Sequence, residues 1–130
     1  MQATDELHTL LEAVQTYFDA LYEGDVEKFR AVMHPKVRLY CPTPDPPLEM
    51  DLDAYLKLVG GRPSPASRND PRHDRVLAAV VASPTTAHAR VQDAYLPRLF
   101  TDDLTFIRGP QGWEIISKVW HYDPIATERE

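Results

Sequence analysis

A single cysteine, Cys41, stands in the whole chain, which excludes an intramolecular disulfide and any thiolate metal cluster. Its default role is that of a small buried hydrophobe, since a nucleophile would need a nearby histidine and a lowered pKa. No apolar run approaches the ~20 residues of a membrane span. The start, from Met1 to Glu6, is acidic and amphipathic, whereas a signal peptide opens basic and then turns apolar. A cytoplasmic location is the expectation. Positive charge is also scarce: 14 Lys and Arg against 20 Asp and Glu leave a formal net charge of −6. Nucleic acid, whose phosphates need Lys and Arg in place of counterions, is therefore a poor partner, and so is an anionic membrane surface. The histidines His8, His34, His73, His88 and His121 form no HExxH motif and no close ligand spacing, so no metal site is expected. Nor is there a Gly-rich phosphate loop or a GxSxG elbow, and no cofactor is expected.

What is present is the material of one domain. The chain has 130 residues, 43% hydrophobic and 26% charged, enough for a real core and too few for two. Leu7, Leu10, Leu11, Val14, Tyr17, Phe18 and Leu21 recur at helical spacing and predict a first helix with Thr4 or Asp5 as its cap. Gly24 supplies the stop. Asp25 opens a second, shorter helix through Val26, Phe29, Val32 and Met33, which Pro35 should end. Residues 37–41 predict a strand, closed by the proline-rich stretch 42–47. Asp51 caps a third helix that Gly60 and Gly61 stop. Residues 62–72 form a long polar loop, and Arg62, Arg68, Arg72 and Arg75 cluster in and after it, solvated charges unless they attract an anion.

Beyond the loop the period becomes strand-like, over about 73–83, 85–96, 99–108 and 113–122. Pro97 suggests a bulge or an edge. Helices followed by a run of antiparallel strands is α+β order. In the last strand Trp113, Ile115, Ser117, Val119 and His121 alternate with Ile116, Lys118, Trp120 and Tyr122, so both faces look substantially apolar. A sheet with one wet face should alternate cleanly, and a homodimer covering the outer face is the expectation.

The segment Tyr17–Val26, followed by Met33–Val37, resembles the opening of the NTF2-like superfamily, where a helix ends in Gly-Asp, a short helix follows and the first strand begins. Gly60–Pro65, Phe100–Thr105 and Gly112–His121 resemble its "putative lumazine-binding" branch, close to SnoaL-like domains. The resemblance spans nearly the whole chain, 1–130. It implies an NTF2-like (cystatin-like) cone of three helices on a curved, mainly antiparallel sheet, with a pocket between the first helix and the sheet. It implies a small-molecule ligand, aromatic or polyketide-like.

The superfamily's ketosteroid isomerases carry an oxyanion tyrosine seven residues before the glycine of the Gly-Asp turn, a position that Tyr17 holds. Their general base falls on Cys41, a thiol with a reference pKa of ~8.5 that makes a poor base at neutral pH, so isomerase activity of that kind is not expected. Asp102 or Asp103 falls near the second oxyanion acid. Being adjacent on a strand, the two should point to opposite faces, one of them inward, unless both sit at a bulge. His121 stands where those enzymes place a pocket tryptophan. The candidate ligand-binding residues are Tyr17, Tyr40, Tyr95, Asp102 and His121, with Asp102 and His121 the acid–base candidates. Each has a plainer alternative: a core tyrosine with a satisfied hydroxyl, a solvated aspartate, or a histidine at a strand end. Function stays open between a binding domain, a SnoaL-like isomerase, cyclase or dehydratase, and a dimerisation or scaffold domain without ligand.

Overall fold

Apolar residues three and four apart build α1 (Ala3–Glu23), whose buried stripe is Leu10, Val14, Tyr17, Phe18 and Leu21, while Leu7 and Leu11 lie on its half-exposed flank. The structure, a computed structural model, describes residues 3–125, with side chains from Asp5 onward. Because α1 is already helical at Ala3, Thr4 and Asp5 sit inside its first turn and not at the cap. Asp5 and Glu6 there meet the positive end of the helix dipole. Gly24, at φ +64°, takes the left-handed turn that ends α1. The Asp25 side chain then accepts the amides of Glu27 and Lys28 to cap α2 (Val26–Val32).

Pro35 does not end that helix. The chain leaves helical geometry at Met33 and runs extended as β1 (Met33–Cys41), with Pro35 inside the strand. A proline disfavours helix for the residue before it, and here the extended path starts two residues before Pro35. A short β2 (Leu48–Met50) follows, hidden in the sequence behind its prolines, and then α3 (Leu52–Gly60), whose Asp51 cap accepts from the Ala54 amide.

Four long strands complete the chain: β3 (Arg75–Val81), β4 (Thr86–Tyr95), β5 (Arg98–Gly109) and β6 (Gly112–Pro124). They assemble with β1 and β2 into one sheet of order β2-β1-β6-β5-β4-β3. Among the described residues only the β1–β6 pair is parallel. Pro97 is neither a bulge nor an edge: Tyr95 pairs with Arg98, so Leu96 and a cis Pro97 form the hairpin turn itself. The three helices lie on one face of the curved sheet, and the core between them is formed by Phe29, Leu39, Val91, Leu104, Phe106 and Ile115, among others.

One irregularity changes how β6 is read. The pairing with β5 slips between Thr105 and Phe106, which face Ser117 and Ile115, so Ile116 is the extra residue of a bulge. Before the bulge Trp113 and Ile115 point inward; after it Lys118 and Trp120 do. The two apolar faces expected from strict alternation thus merge largely into a single inner face, with Ser117, Val119 and His121 outside.

Candidate functional site

Strand register alone brings the polar residues of the interior together. Val91 pairs with Asp102 and Asp93 with Phe100 across β4–β5, while Asp102 pairs with Trp120 and Leu104 with Lys118 across β5–β6. Cross-strand partners and residues two apart share a face. Asp93, Asp102, Lys118 and Trp120 therefore all project from the inner face, and all are buried, Asp102 at 0% exposure. Asp103, one step along, points outward to Arg90 Nε at 2.8 Å and His88 Nε2 at 3.3 Å.

The helices complete the cluster. From α1 the buried Tyr17 hydroxyl donates to Asp102 Oδ2 at 2.6 Å. From α3 Tyr55 lies edge-on to Phe29, and Lys118 Nζ donates to its hydroxyl at 3.1 Å. The ammonium sits 5.2, 4.8 and 4.7 Å from the ring centres of Tyr17, Tyr55 and Trp120, an aromatic cage for a cation.

Burial first, and then the neighbouring Asp102, push the Asp93 carboxyl well above the ordinary aspartate value of 3.8. Protonated, Asp93 becomes a hydrogen-bond donor to Asp102, whereas as two carboxylates the pair leaves both Asp93 oxygens and Asp102 Oδ1 without a partner. Burial, Asp102 and Asp93 likewise raise Tyr17, keeping it a neutral phenol that donates. For Lys118 burial works against the charge, but Tyr55, Asp102 and Asp93 outweigh it and the pKa is raised. The site thus holds an ammonium, a phenol donor and a carboxylic acid within a buried cluster.

A cleft of about 300 Å³ opens beside this cluster. Tyr55 and Leu58 of α3 form one wall, and Pro44 with Leu48 of β2 another. Phe100, Trp120 and Tyr122 from β5 and β6 form the third, with Lys118 at the floor and Arg62 and Arg98 at the sides. The cleft lies beneath α3, not between the first helix and the sheet. Around Tyr17 the space between α1 and the sheet is filled, since Tyr17, Phe18 and Leu21 pack onto the sheet and Asp102 closes off the Tyr17 hydroxyl. Nearer the start of α1 a second depression of about 360 Å³ lies between Thr9, Ala13 and Thr16 and the β5–β6 hairpin at Arg108 and Trp113.

Of the sequence candidates, Tyr17 and Asp102 meet, one layer deeper than the cleft wall. Tyr40, Tyr95 and His121 do not join them. Tyr40 stands opposite Val119 on the outer face, 46% exposed. Tyr95 donates to the Pro63 carbonyl at 2.7 Å. His121 is exposed, with Thr43 Oγ1 at 2.7 Å and Asp123 at 3.0 Å, because after the bulge odd-numbered residues of β6 face outward. Cys41 is fully buried. The arginines of the 62–72 loop are engaged locally: Arg68 with Asp70, and Arg72 with Asp19 and Asp74. Asp93, Tyr55, Lys118 and Trp120 escaped the sequence reading. Asp93 had a visible signal, a charged residue in phase with buried Ala87, Ala89 and Val91.

The family model described as "Putative lumazine-binding" matches residues 5–121. The chain belongs to this family. It is a branch of the NTF2-like superfamily, and solved NTF2-like structures share the fold. An NTF-2 like protein of unknown function from Silicibacter pomeroyi DSS-3 is 19% identical with a TM-score of 0.80, covering 95% of this chain and 100% of that one. One from Shewanella baltica OS155 is 15% identical at TM-score 0.83, covering 95% and 98%. A third, from Methylobacillus flagellatus KT, is 21% identical at 0.77 and covers 95% of each chain. At these identities the likeness speaks for the NTF2-like fold alone. No curated protein matches the chain in sequence.

Proposed function

We propose that this NTF2-like domain binds a small, partly apolar, aromatic molecule in the cleft beneath α3. The observation that carries the reading is the cleft itself: about 300 Å³, walled by Phe100, Trp120, Tyr122 and aliphatic side chains over the polar floor of Tyr55 and Lys118. Binding sites are typically concave and mostly apolar, with a few placed polar groups. The family description points the same way, toward a flat heteroaromatic ligand. Catalysis by a SnoaL-like acid–base residue is the weaker reading. Asp102 is enclosed behind Tyr17, no carboxylate lines the cleft among the described residues, and His121 faces outward. A homodimer in the cytoplasm belongs to the same proposal, the second copy lying on the outer sheet face where Tyr40, Val80 and Val119 are exposed.

Native mass spectrometry of the protein purified from cells tests the binding. A small-molecule adduct is expected on the wild type and should disappear in Leu58→Trp, whose larger side chain fills the cleft. A wild type without an adduct, unmoved in melting temperature by a library of aromatic compounds, would instead identify a scaffold domain.

A further inference from the structure

The charged groups of the cleft have one sign. Lys118 lies at its floor and Arg62 and Arg98 at its sides, and no Asp or Glu is among the residues that line it, in a chain whose net charge is −6. We propose that the ligand is an aromatic carboxylate, its ring system against Phe100, Trp120 and Tyr122 and its carboxylate on Lys118 Nζ and the Tyr55 hydroxyl. This rests on the small-molecule reading above and names the chemical class of its ligand.

The hydrogen-bond inventory of the floor fits such a group. An ammonium has three donors, and among the described residues Lys118 directs one, at 3.1 Å, to Tyr55. The Tyr55 hydroxyl accepts that bond, so its own proton is free to donate. Ammonium and phenol thus offer two adjacent donors to the two oxygens of one carboxylate. Both side chains belong to the cleft wall while being 97% or more buried. Hydrogen bonds to an ionised partner in such a place are shorter and stronger than neutral ones.

The surroundings keep the lysine in place for this task. Three aromatic rings within 5.2 Å hold the ammonium over their faces. The acids Asp93 and Asp102 are outside the cleft lining, so although they help to hold the ammonium charged they offer no carboxylate at the cleft surface to an incoming anion. At the sides Arg62 stacks on Tyr95 at 4.0 Å and Arg98 on Tyr122 at 4.5 Å. Guanidinium groups held over rings attract a charged ligand toward the opening. The volume, at the low end for ligand pockets, suits one or two fused rings. An uncharged aromatic of equal size would gain the walls but offer no charge-assisted acceptor to the ammonium donors that Tyr55 does not take.

The probes are 2-naphthoate and 2-naphthylmethanol, which share a ring system and differ in charge, titrated at pH 7.5 by calorimetry and by quenching of tryptophan fluorescence. Wild-type protein should bind the naphthoate at least about tenfold more tightly, as expected where a charge-assisted pair replaces a neutral one. In Lys118→Met the naphthoate should fall to the level of the alcohol, with the alcohol unchanged. Should that variant fail to fold by circular dichroism, Arg62→Gln/Arg98→Gln decides, because both sites are at the sides of the cleft. It should weaken the naphthoate about three- to tenfold, leave the alcohol alone and flatten the salt dependence. Equal affinity of the wild type for both probes would overturn the anion assignment and leave the binding reading standing. Failure of both probes to bind would remove the two together. A folded Lys118→Met that keeps the preference would overturn the role of the lysine.

Discussion

Asp93 occupies a position on β4 where every alternate neighbour toward the core is apolar, and burial with the adjacent Asp102 raises its pKa. The consequence for stability has a definite sign. A carboxyl whose folded pKa lies above its unfolded value holds, in the native state, a proton that the unfolded chain has already released. Its contribution is complete below the unfolded value, near the ordinary 3.8, and is lost as pH rises through the folded value. Asn has the shape of the neutral acid and no proton to lose. Asp93→Asn should therefore match the wild type at pH 4 and melt higher at pH 8. Each kcal/mol by which the buried charge is disfavoured should read as roughly 3–5 °C in a domain of this size. Calorimetric melts across that range check it, and two parallel Tm–pH curves would show that Asp93 does not hold the buried proton. Tyr17 was legible as an inward aromatic from its helical stripe. That its hydroxyl meets Asp102 was not, since a distance between residues 85 positions apart is set by packing.

At the scale of elements, the loop at 62–72 departs most from its sequence reading. Its Pro, Ser, Arg and Asn suggest an exposed segment, and most of these residues are exposed, yet it is fastened at both ends. Tyr22 of α1 donates to the Asp70 carbonyl at 2.7 Å and Tyr95 of β4 to that of Pro63 at 2.7 Å. Arg62 and Arg68 stack on the Tyr95 ring, and Arg72 on Tyr22. Buried Pro65 opens a short 3₁₀ turn, Ala66–Arg68. Segments held by few interactions open locally at low free-energy cost, so removing the two tyrosines should free the loop without unfolding the domain. In Tyr22→Ala/Tyr95→Ala, trypsin is expected to cut after Arg68 and Arg72 at least about tenfold faster, since each lost anchor is a hydrogen bond of about 1 kcal/mol plus its stacking. Peptide mapping of the digest reads this directly; an unchanged rate at those two arginines would mean that the loop is held by its own turn.

For the molecule as a whole, the β6 bulge removes half of the reason for expecting a dimer. Trp120 and Tyr122 are accounted for by the cleft, and what remains outside is a sheet face crossed by the Arg90–Asp103–His88 cluster, with Tyr40, Val80 and Val119 exposed. Scattered exposed apolar residues are ordinary on a monomer, and the dimer proposal is correspondingly specific: the two copies must share this face. Light scattering at about 10 µM should report twice the 14.8 kDa chain mass, and Val80→Lys/Val119→Lys should halve it by placing like charges across the two-fold axis. A wild type of single-chain mass would rule the dimer out.

The sequence by itself determined most of the elements and their order, missing β2 and the early start of β1. Helical and strand periods, the Asp25 and Asp51 caps and the Gly24 stop are local interactions, complete within a few residues, and they read correctly from the chain. It also led to the expectation that Asp102 and Asp103 diverge, unless a bulge intervened, because alternation along a strand is local. Only the tertiary structure decided which of them faces inward, and that Asp93, Tyr55 and Lys118 join it. Those facts depend on the register of β4, β5 and β6, and one bulged residue, Ile116, shifts the phase of everything after it. The cleft was decided in the same way. The first helix carries the clearest apolar stripe, and for that reason it packs tightly over the sheet around Tyr17, while the shorter α3 leaves space over Lys118 and Trp120.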